Sequence, residues 1–219
     1  RNDMRHKLFM ASVICLMLSI LLDVLCFLIW HSSNLLFFTM IGIAVYIVAI
    51  GILTLRNAQD KLFRDKATGL YNRNKCNELI HMGIAPDDRL CFMMFDLNGL
   101  KKTNDNCGHD AGDQMIAKFA EVLRNSIPAG NFIGRSGGDE FISIIYNTDE
   151  ERVKKIIADM REQNTAFNQE NEHGAWQLGA AVGYAFVNEV GSRSYMALYE
   201  LADKRMYENK RAMKAVRTE

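Results

Sequence analysis

The sequence FIGRSGGDEFISIIY, at residues 132–146, contains two short runs of strand-forming residues with a pair of glycines between them. Gly137 and Gly138 can take the positive φ angles of a tight turn, so the stretch predicts a β-hairpin. The turn presents Asp139 and Glu140 together at one end of the hairpin. Taken alone, the stretch is explained more simply as an ordinary glycine turn with solvated acidic side chains.

A buried strand is predicted upstream of the hairpin at residues 90–95, because this run is continuously apolar and ends at Asp96. If the strand lies beside the hairpin, Asp96, Asp139 and Glu140 meet at one edge of the sheet. Carboxylates placed in this way suit Mg²⁺, which keeps waters and substrate phosphates as its other ligands. Two such ions about 3.5–4 Å apart could activate a hydroxyl and stabilise a leaving phosphate.

The segment DLNGLKKTNDNCGHDAGD, at residues 96–113, reads as a strand end followed by a polar, glycine-bearing loop and the start of a helix. Backbone N–H groups in such a loop can hold phosphates, and Lys101 adds positive charge. Asn104 and Asp113 supply the donor and acceptor groups that the edge of a guanine requires. The segment is therefore a candidate nucleotide-binding site.

The rest of the polar part of the chain alternates between helical and strand-like patterns. Helices are predicted at residues 74–82, 111–125, 150–167 and 195–210, and further strands at residues 132–134, 141–146 and 176–187. Strands that alternate with helices, together with one hairpin, predict an α/β fold (an α+β sandwich) in which helices flank a mixed central sheet.

The first quarter of the chain has a different composition. Two apolar runs, at about residues 8–30 and 35–55, each have the roughly 20 residues that a helix needs to cross a bilayer. The polar turn His31–Asn34 separates them, and basic residues flank the pair, which places both ends in the cytoplasm. We therefore expect a transmembrane hairpin in the inner (cytoplasmic) membrane. A buried soluble hairpin would seldom contain such long apolar runs, and a signal peptide would carry a small-residue cleavage site.

Asp23 is the one charged residue inside these runs, and a carboxylate at that depth is costly. It could pair with the neighbouring helix, face a partner subunit, or be tolerated in a strongly apolar segment. We favour the last two explanations.

These patterns divide the chain into a membrane anchor at residues 1–55, a linker helix at residues 56–66 and a domain at residues 67–219 that carries the candidate catalytic residues. In the linker, Leu55 and Leu62 are one heptad apart, which fits either a short parallel coiled coil or a plain amphipathic connector. The chain carries 26 basic and 26 acidic residues, and this zero net charge argues against nucleic acid as a partner. Its five cysteines show neither a disulfide framework nor metal-ligand spacing.

Three blocks of the sequence resemble the GGDEF family of diguanylate cyclases, in the order and at the spacing of that family. DKATGLYNR at residues 65–73 resembles the motif that opens the domain. Residues 96–113 resemble the metal-, phosphate- and base-binding segment, and RSGGDEF at residues 135–141 contains the family signature. The resemblance spans roughly residues 63–214 and implies a fold like the palm of nucleotidyl cyclases, with catalysis in a homodimer.

The resemblance also implies roles for single residues. Two Mg²⁺ (or Mn²⁺) ions per active site would be bound by Asp96, the carbonyl of Leu97, Asp139 and Glu140. Asp139 would also be the catalytic base for the 3′-hydroxyl, and Glu140 would support the metal cluster. The substrate would be bound by Lys101, Asn104, His109, Asp113, Gly137, Gly138, Lys210 and Lys214. Within that set, Asn104 and Asp113 would read guanine beside His109, and Lys101 and Lys210 would neutralise the triphosphate.

The sequence departs from the family pattern at three places. Asn98 replaces the second acid of the usual strand-tip motif, which should not disturb metal binding because that position is not a usual ligand. Met213-Lys214 stands where family members often carry Gly-Arg, so the positive charge is kept but the bidentate guanidinium is lost. The Arg-x-x-Asp motif of product inhibition is missing, with Pro128 and Asn131 at its positions. We therefore predict that cyclic di-GMP does not inhibit the protein through that site.

The implied function is condensation of two GTP molecules into cyclic di-GMP and two pyrophosphates, by attack of each 3′-hydroxyl on the other nucleotide's α-phosphate. One alternative is a catalytically silent GGDEF module that binds GTP or cyclic di-GMP and signals by contact. Others are a relative that makes mixed GMP–AMP products, against which Asp113 favours guanine, and a membrane scaffold that only dimerises.

Overall fold

The computed structural model describes residues 2–30, 37–85, 89–171, 174 and 176–216. The chain divides into two compact units, residues 1–62 and residues 63–219. The polar turn predicted at His31–Asn34 lies outside the described residues.

The first unit consists of two long helices, α1 (Asn2–Trp30) and α2 (Phe37–Phe63), and α2 runs on into the start of the second unit. Each contains a segment long and apolar enough to cross a membrane, at Lys7–Ile29 and Phe37–Arg56. Only 17% and 11% of these two segments is buried, so neither is the covered core helix of a soluble protein. The pair is consistent with a membrane anchor.

The two helices pack through small residues. Gly42 of α2 lies against Ser19 of α1, where a Cβ on the glycine would come within 2.0 Å of the serine Oγ. The Ser19 hydroxyl donates to the carbonyl of Leu16, 2.8 Å away, so its proton is satisfied within its own helix. Such close backbone approach is the usual way in which helices associate in lipid.

Asp23 binds the start of α2. The backbone N–H of Phe38 donates to Asp23 Oδ1 at 3.1 Å, and that of Thr39 donates to Oδ2 at 2.6 Å. The first N–H groups of a helix have no partner within the helix, and in an apolar medium each needs an acceptor. The carboxylate therefore pairs with the neighbouring helix, and our preference for a partner subunit or simple tolerance is wrong.

The second unit contains five α-helices and four strands among its described residues. In chain order, they are α3 (Arg73–Ile80), β1 (Leu90–Leu97), α4 (Leu100–Cys107), α5 (His109–Ser126), β2 (Phe132–Arg135), β3 (Glu140–Tyr146), α6 (Glu150–Glu170), β4 (Ala180–Phe186) and α7 (Tyr195–Val216). A short 3₁₀ turn, Val187–Glu189, follows β4.

The strands form one sheet in the order β2-β3-β1-β4, with helices on both faces, so the predicted α/β sandwich is confirmed. The mixed pairing that we expected is corrected, because each pair of neighbouring strands is antiparallel. The reason is that β3 inserts between β1 and β2, which run in the same direction and would otherwise have been neighbours. Parallel pairing in the described part of the chain is limited to an isolated bridge between Tyr71 and Gly134.

Side chains of β1 alternate between two cores. Phe95 packs with helix α5 through an edge-to-face contact with Phe119, at 6.4 Å between ring centroids. On the opposite face, Phe92 meets Tyr199 of α7 at 6.2 Å. α7 lies directly on β4, since a Cβ on Gly183 would come within 2.1 Å of the Ala202 carbonyl. Asp96 belongs to the α7 face because side chains two apart in a strand point the same way.

Candidate active site

The end of β1 and the start of β3 bring the three predicted acidic residues together. Asp96 stands directly opposite Glu140 in the antiparallel register, and such partners lie on the same face with their Cβ atoms about 5 Å apart. The Leu97 N–H donates to the Asp139 carbonyl at 2.8 Å, which fixes the turn against the strand end. The structure therefore places the hairpin beside the strand, which is the condition on which the predicted meeting of the three acids depended.

Asp96 is a buried carboxylate with one oxygen paired and the other not. Only 6% of the residue is exposed. Its Oδ2 accepts a hydrogen bond from Lys210 Nζ at 2.6 Å, while its Oδ1 is buried without a hydrogen-bond partner. A buried acceptor left unpaired is costly, and the cost is greater for a charged group. Lys210, predicted to contact a triphosphate, therefore lies on the carboxylate predicted to bind metal.

Glu140 lies near several other carboxylates. Burial raises the pKa of its carboxyl above the ordinary value, and three neighbouring carboxylates raise it further: Asp139, Asp96 and Asp203. The Lys210 ammonium opposes this effect. Sequence analysis missed Asp203, although its distance of seven residues from Lys210, two turns of α7, was a usable signal.

The donor set fits a hard divalent cation. Among the described residues, no three His, Cys, Asp or Glu side chains already form a cluster that could hold a metal. The site offers instead a buried, unpartnered carboxylate oxygen on Asp96 and an excess of carboxylates around Glu140. Oxygen ligands of this kind suit Mg²⁺ and Mn²⁺, which complete their coordination with water and phosphate oxygens.

Arg135 holds the glycine turn in shape. Its Nη2 donates to the Gly138 carbonyl at 2.8 Å and its Nε to the Gly137 carbonyl at 3.1 Å. A Cβ at Gly137 would come within 2.9 Å of Glu140 Oε2, so a larger residue there would displace the end of the Glu140 side chain. We assigned Arg135 no role from the sequence. Its position directly before the turn was the available signal, because a donor so placed can reach the carbonyls of the turn.

Asp65, in the opening motif, supports Arg135 from the other side. The Arg135 Nη1 lies 3.4 Å from both Asp65 carboxylate oxygens, and the Thr68 N–H and hydroxyl donate to Oδ1 at 2.9 and 2.7 Å. Burial acts to raise the pKa of the Asp65 carboxyl, but the Thr68 hydrogen bonds and the Arg135 charge outweigh it and lower the pKa. The opening motif thus positions the signature turn.

The candidate guanine-reading residues lie at the junction of α4 and α5. The loop expected after β1 is corrected, since it contains the helix α4, which begins after Gly99 and ends before Gly108, both at positive φ. Asn104 packs against the first turn of α5, where a Cβ on Gly112 would come within 1.9 Å of its Oδ1. Asp113 follows Gly112 directly and is exposed, so the two predicted residues lie on neighbouring helices.

The other predicted substrate-binding side chains are exposed, at the starts of α4 and α5 and near the end of α7. Lys101 and His109 are exposed at the starts of α4 and α5. Lys214 lies one helical turn beyond Lys210, on the same side of α7 and exposed. Between them, Met213 contacts the residue that follows β1, because the Asn98 Nδ2 donates to its sulfur at 3.7 Å. The end of α7 therefore borders the acidic residues.

A cavity of about 730 Å³ lies at the other end of β1, beside Leu90 and the outer edge of β4. Polar groups of its lining form hydrogen bonds with one another: Arg205 binds the Tyr184 carbonyl at 2.8 Å and Glu189 at 2.9 Å. Because the acidic residues stand at the opposite end of the strand, we do not assign the chemistry to this cavity.

The profile of the family described as "Diguanylate cyclase, GGDEF domain" matches residues 62–215. The chain is 31% identical over 160 residues to the probable diguanylate cyclase DgcT of Escherichia coli (strain K12), which covers 71% of this chain and 35% of DgcT. It is 30% identical over 164 residues to the diguanylate cyclase DgcP of Pseudomonas aeruginosa, covering 72% of this chain and 24% of DgcP. The chain therefore spans about a third or less of the length of these relatives.

A solved structure has the same fold as the second unit. The GGDEF domain of DgcB from Caulobacter crescentus, in complex with c-di-GMP, matches with a TM-score of 0.61 at 23% sequence identity. The match covers 68% of this chain and 91% of that domain.

Proposed function

The chain belongs to the GGDEF domain family of diguanylate cyclases, and from that membership we propose that it joins two GTP molecules into cyclic di-GMP with release of two pyrophosphates. The observation that carries the proposal is the half-paired, buried Asp96 directly opposite Glu140. A structural carboxylate would have both oxygens satisfied, whereas a ligand for metal keeps one available.

Diguanylate cyclases of this family generally use a divalent metal, and we propose two Mg²⁺ or Mn²⁺ ions per site. Asp96, the Leu97 carbonyl, Asp139 and Glu140 would hold them. When bound, such ions polarise the α-phosphate and favour ionisation of the 3′-hydroxyl.

The remaining residues would bind and orient the nucleotide. Asn104 and Asp113 would read the guanine edge, because the Asp113 carboxylate can accept from N1–H and N2–H₂ together. His109 would line the same pocket, and Gly137 and Gly138 would let the nucleotide approach the turn. Lysines would bind the triphosphate, with Lys210 nearest the acids and Lys101 and Lys214 farther out. Asp139 would accept the proton of the 3′-hydroxyl.

Each site binds one nucleotide, and the hydroxyl that attacks it belongs to the nucleotide of a second domain. Catalysis therefore requires a homodimer, and most of the rate enhancement would come from positioning. We propose that residues 1–55 anchor the chain in the cytoplasmic membrane and that a linker at residues 56–66 joins them to a cytoplasmic catalytic domain at residues 67–219. The anchor would then control how often two sites meet.

The test is product formation by the full chain in detergent, with GTP and Mg²⁺, followed by chromatographic identification of the product. We expect cyclic di-GMP from the parent and from Glu151→Ala, which removes an exposed carboxylate on α6. Asp139→Ala should give none. Absence of product from the parent, at a concentration where dimers are demonstrated, would contradict the proposal and favour a silent binding module.

A further inference from the structure

We propose that Lys210 takes the place of the divalent cation at Asp96 while the site holds no nucleotide, and that its side chain moves to the triphosphate when nucleotide and metal bind. The inference rests on the proposed function and specifies how binding of metal and substrate is coupled there. If so, a metal ion binds only weakly to the protein without nucleotide, because Lys210 already occupies Asp96.

The first step is the burial of the carboxylate. The Asp96 side chain is 8% exposed, and a charge so far removed from water is stable only beside an opposite charge. Lys210 provides that charge through the 2.6 Å contact of its Nζ with Oδ2. A metal ion at Asp96 would provide the same compensation, so the ammonium and the metal are alternatives for one oxygen.

The second step is that the ammonium can leave. The Lys210 side chain is 28% exposed, so water and ligands reach it, and lysine is a point charge on a flexible stem. Asp96 Oδ1 has no hydrogen-bond partner, so the pair is incomplete and a cation with more ligand positions would satisfy the carboxylate better. A triphosphate would offer the displaced ammonium a partner with several negative charges.

The third step is that the helix itself stays in place. α7 is held on β4 by the contact of Gly183 with the Ala202 carbonyl, which leaves no room for a shift toward the sheet. Asn209, one residue before Lys210, accepts a hydrogen bond from the Val182 N–H at 2.9 Å. These contacts hold α7 before Lys210, and the contact of Met213 with Asn98 holds it beyond Lys210, so the exchange is a change of the Lys210 side chain alone.

By thermodynamic linkage, the binding of metal and the binding of nucleotide affect each other equally. A ligand that draws Lys210 from Asp96 increases metal affinity, and metal at Asp96 increases nucleotide affinity by the same factor. Couplings of this kind are typically between about 5-fold and 150-fold.

The experiment measures Mn²⁺ binding to the full chain in detergent by electron paramagnetic resonance, with and without a GTP analogue bridged by methylene between its α- and β-phosphates. This analogue cannot release pyrophosphate. The variants are Lys210→Met, which keeps the apolar stem but not the charge, and Lys204→Met, an exposed lysine of the same helix, as the matched control.

Without nucleotide, we expect Lys210→Met to bind Mn²⁺ about tenfold more tightly than the parent, and Lys204→Met to differ by less than about threefold because its charge is exposed and screened. The analogue should tighten Mn²⁺ binding less in Lys210→Met than in the parent.

Equal or weaker Mn²⁺ binding by Lys210→Met would overturn the inference. If that variant does not fold, Lys210→Arg keeps the ion pair and should bind Mn²⁺ no more tightly than the parent; tighter binding would overturn the inference. A parent that makes no cyclic di-GMP would contradict the proposed function separately, since Mn²⁺ binding needs no turnover.

Discussion

Asp23 and Asp96 are equally buried, each with 6% of its surface exposed, and the two units of the chain treat them differently. In the first unit, both oxygens of Asp23 accept hydrogen bonds from the backbone of the neighbouring helix. In the second unit, Asp96 has one oxygen on Lys210 and the other without a partner. Burial alone therefore does not separate a structural carboxylate from a functional one.

The difference lies in how completely the surroundings satisfy the charge. Asp23 is held by backbone N–H groups that cannot move without unwinding the start of α2, so it contributes to the fold. Asp96 is held by a long side chain that can exchange, so its environment is stable without ligand and is completed with one. An incomplete hydrogen-bond shell on a buried charge marks the position where function is expected.

The largest effect should come from removing the charge of Asp96. Asp96→Asn keeps the shape of the side chain, so the melting temperature should change little, while cyclic di-GMP formation should fall by about a thousandfold or more, since metal-based charge stabilisation is lost. Initial rates by chromatography and a thermal melt in the same buffer measure both. Activity within tenfold of the parent would show that Asp96 is structural, like Asp23.

For Asp23 we expect a loss of stability. Asp23→Ala leaves two N–H groups at the start of α2 without acceptors and should lower the stability of the hairpin by about 2 kcal/mol. Detergent-induced unfolding followed by circular dichroism measures the loss. Ser12→Ala is the control, because Ser12 is as buried but donates to the Phe9 carbonyl of its own helix. Equal stability of the two variants would contradict the capping role.

The sequence allowed prediction of those features that depend on local patterns. The hairpin at residues 132–146 and the apolar run ending at Asp96 were recognisable because strand periodicity and glycine turns are local, and the register then paired Asp96 with Glu140. Helix α4 was missed because Asn104, Asp105 and Asn106 are poor helix formers and the segment buries little apolar surface.

Side-chain pairs between packed elements could not be predicted. The pairing of Lys210 with Asp96 joins residues 114 positions apart and depends on where α7 crosses the sheet. The pairing of Asp23 with α2 depends on the residue at which that helix begins, and no pattern in the apolar run indicates it. Side-chain pairs across elements are set by packing, which becomes known only when the elements are placed.

Gly42 clears space for Ser19 in the first unit, and Gly112 clears space for Asn104 in the second. Gly112→Ala should push the Asn104 side chain aside and raise KM for GTP about tenfold with little change in kcat, because a hydrogen bond to the base is lost. Steady-state kinetics give both values. Gly83→Ala, with no atom within 4 Å of the new Cβ, is the control. An unchanged KM would remove Asn104 from guanine recognition.

Asp65 is intermediate between Asp23, which is bound by backbone groups, and Asp96, which is bound by a lysine side chain. The Asp65 side chain is 23% exposed, and its partners are backbone, hydroxyl and guanidinium groups. Its pKa is lowered below the ordinary value of 3.8, so the stability that it contributes is present above that value and is lost as pH falls through the lower, folded pKa. Asp65→Asn keeps an acceptor for Thr68 but loses the charge facing Arg135. It should therefore lower stability by about 1 kcal/mol or less near neutral pH and reduce the loss of stability below about pH 4. Thermal melts of the full chain between pH 3 and pH 7 test this, with Glu162→Gln, an exposed carboxylate on α6, as control. If the melting temperatures of Asp65→Asn and the parent stay parallel down to pH 3, the Asp65–Arg135 pair does not stabilise the signature turn, and Arg135 holds the turn through the carbonyls of Gly137 and Gly138 alone.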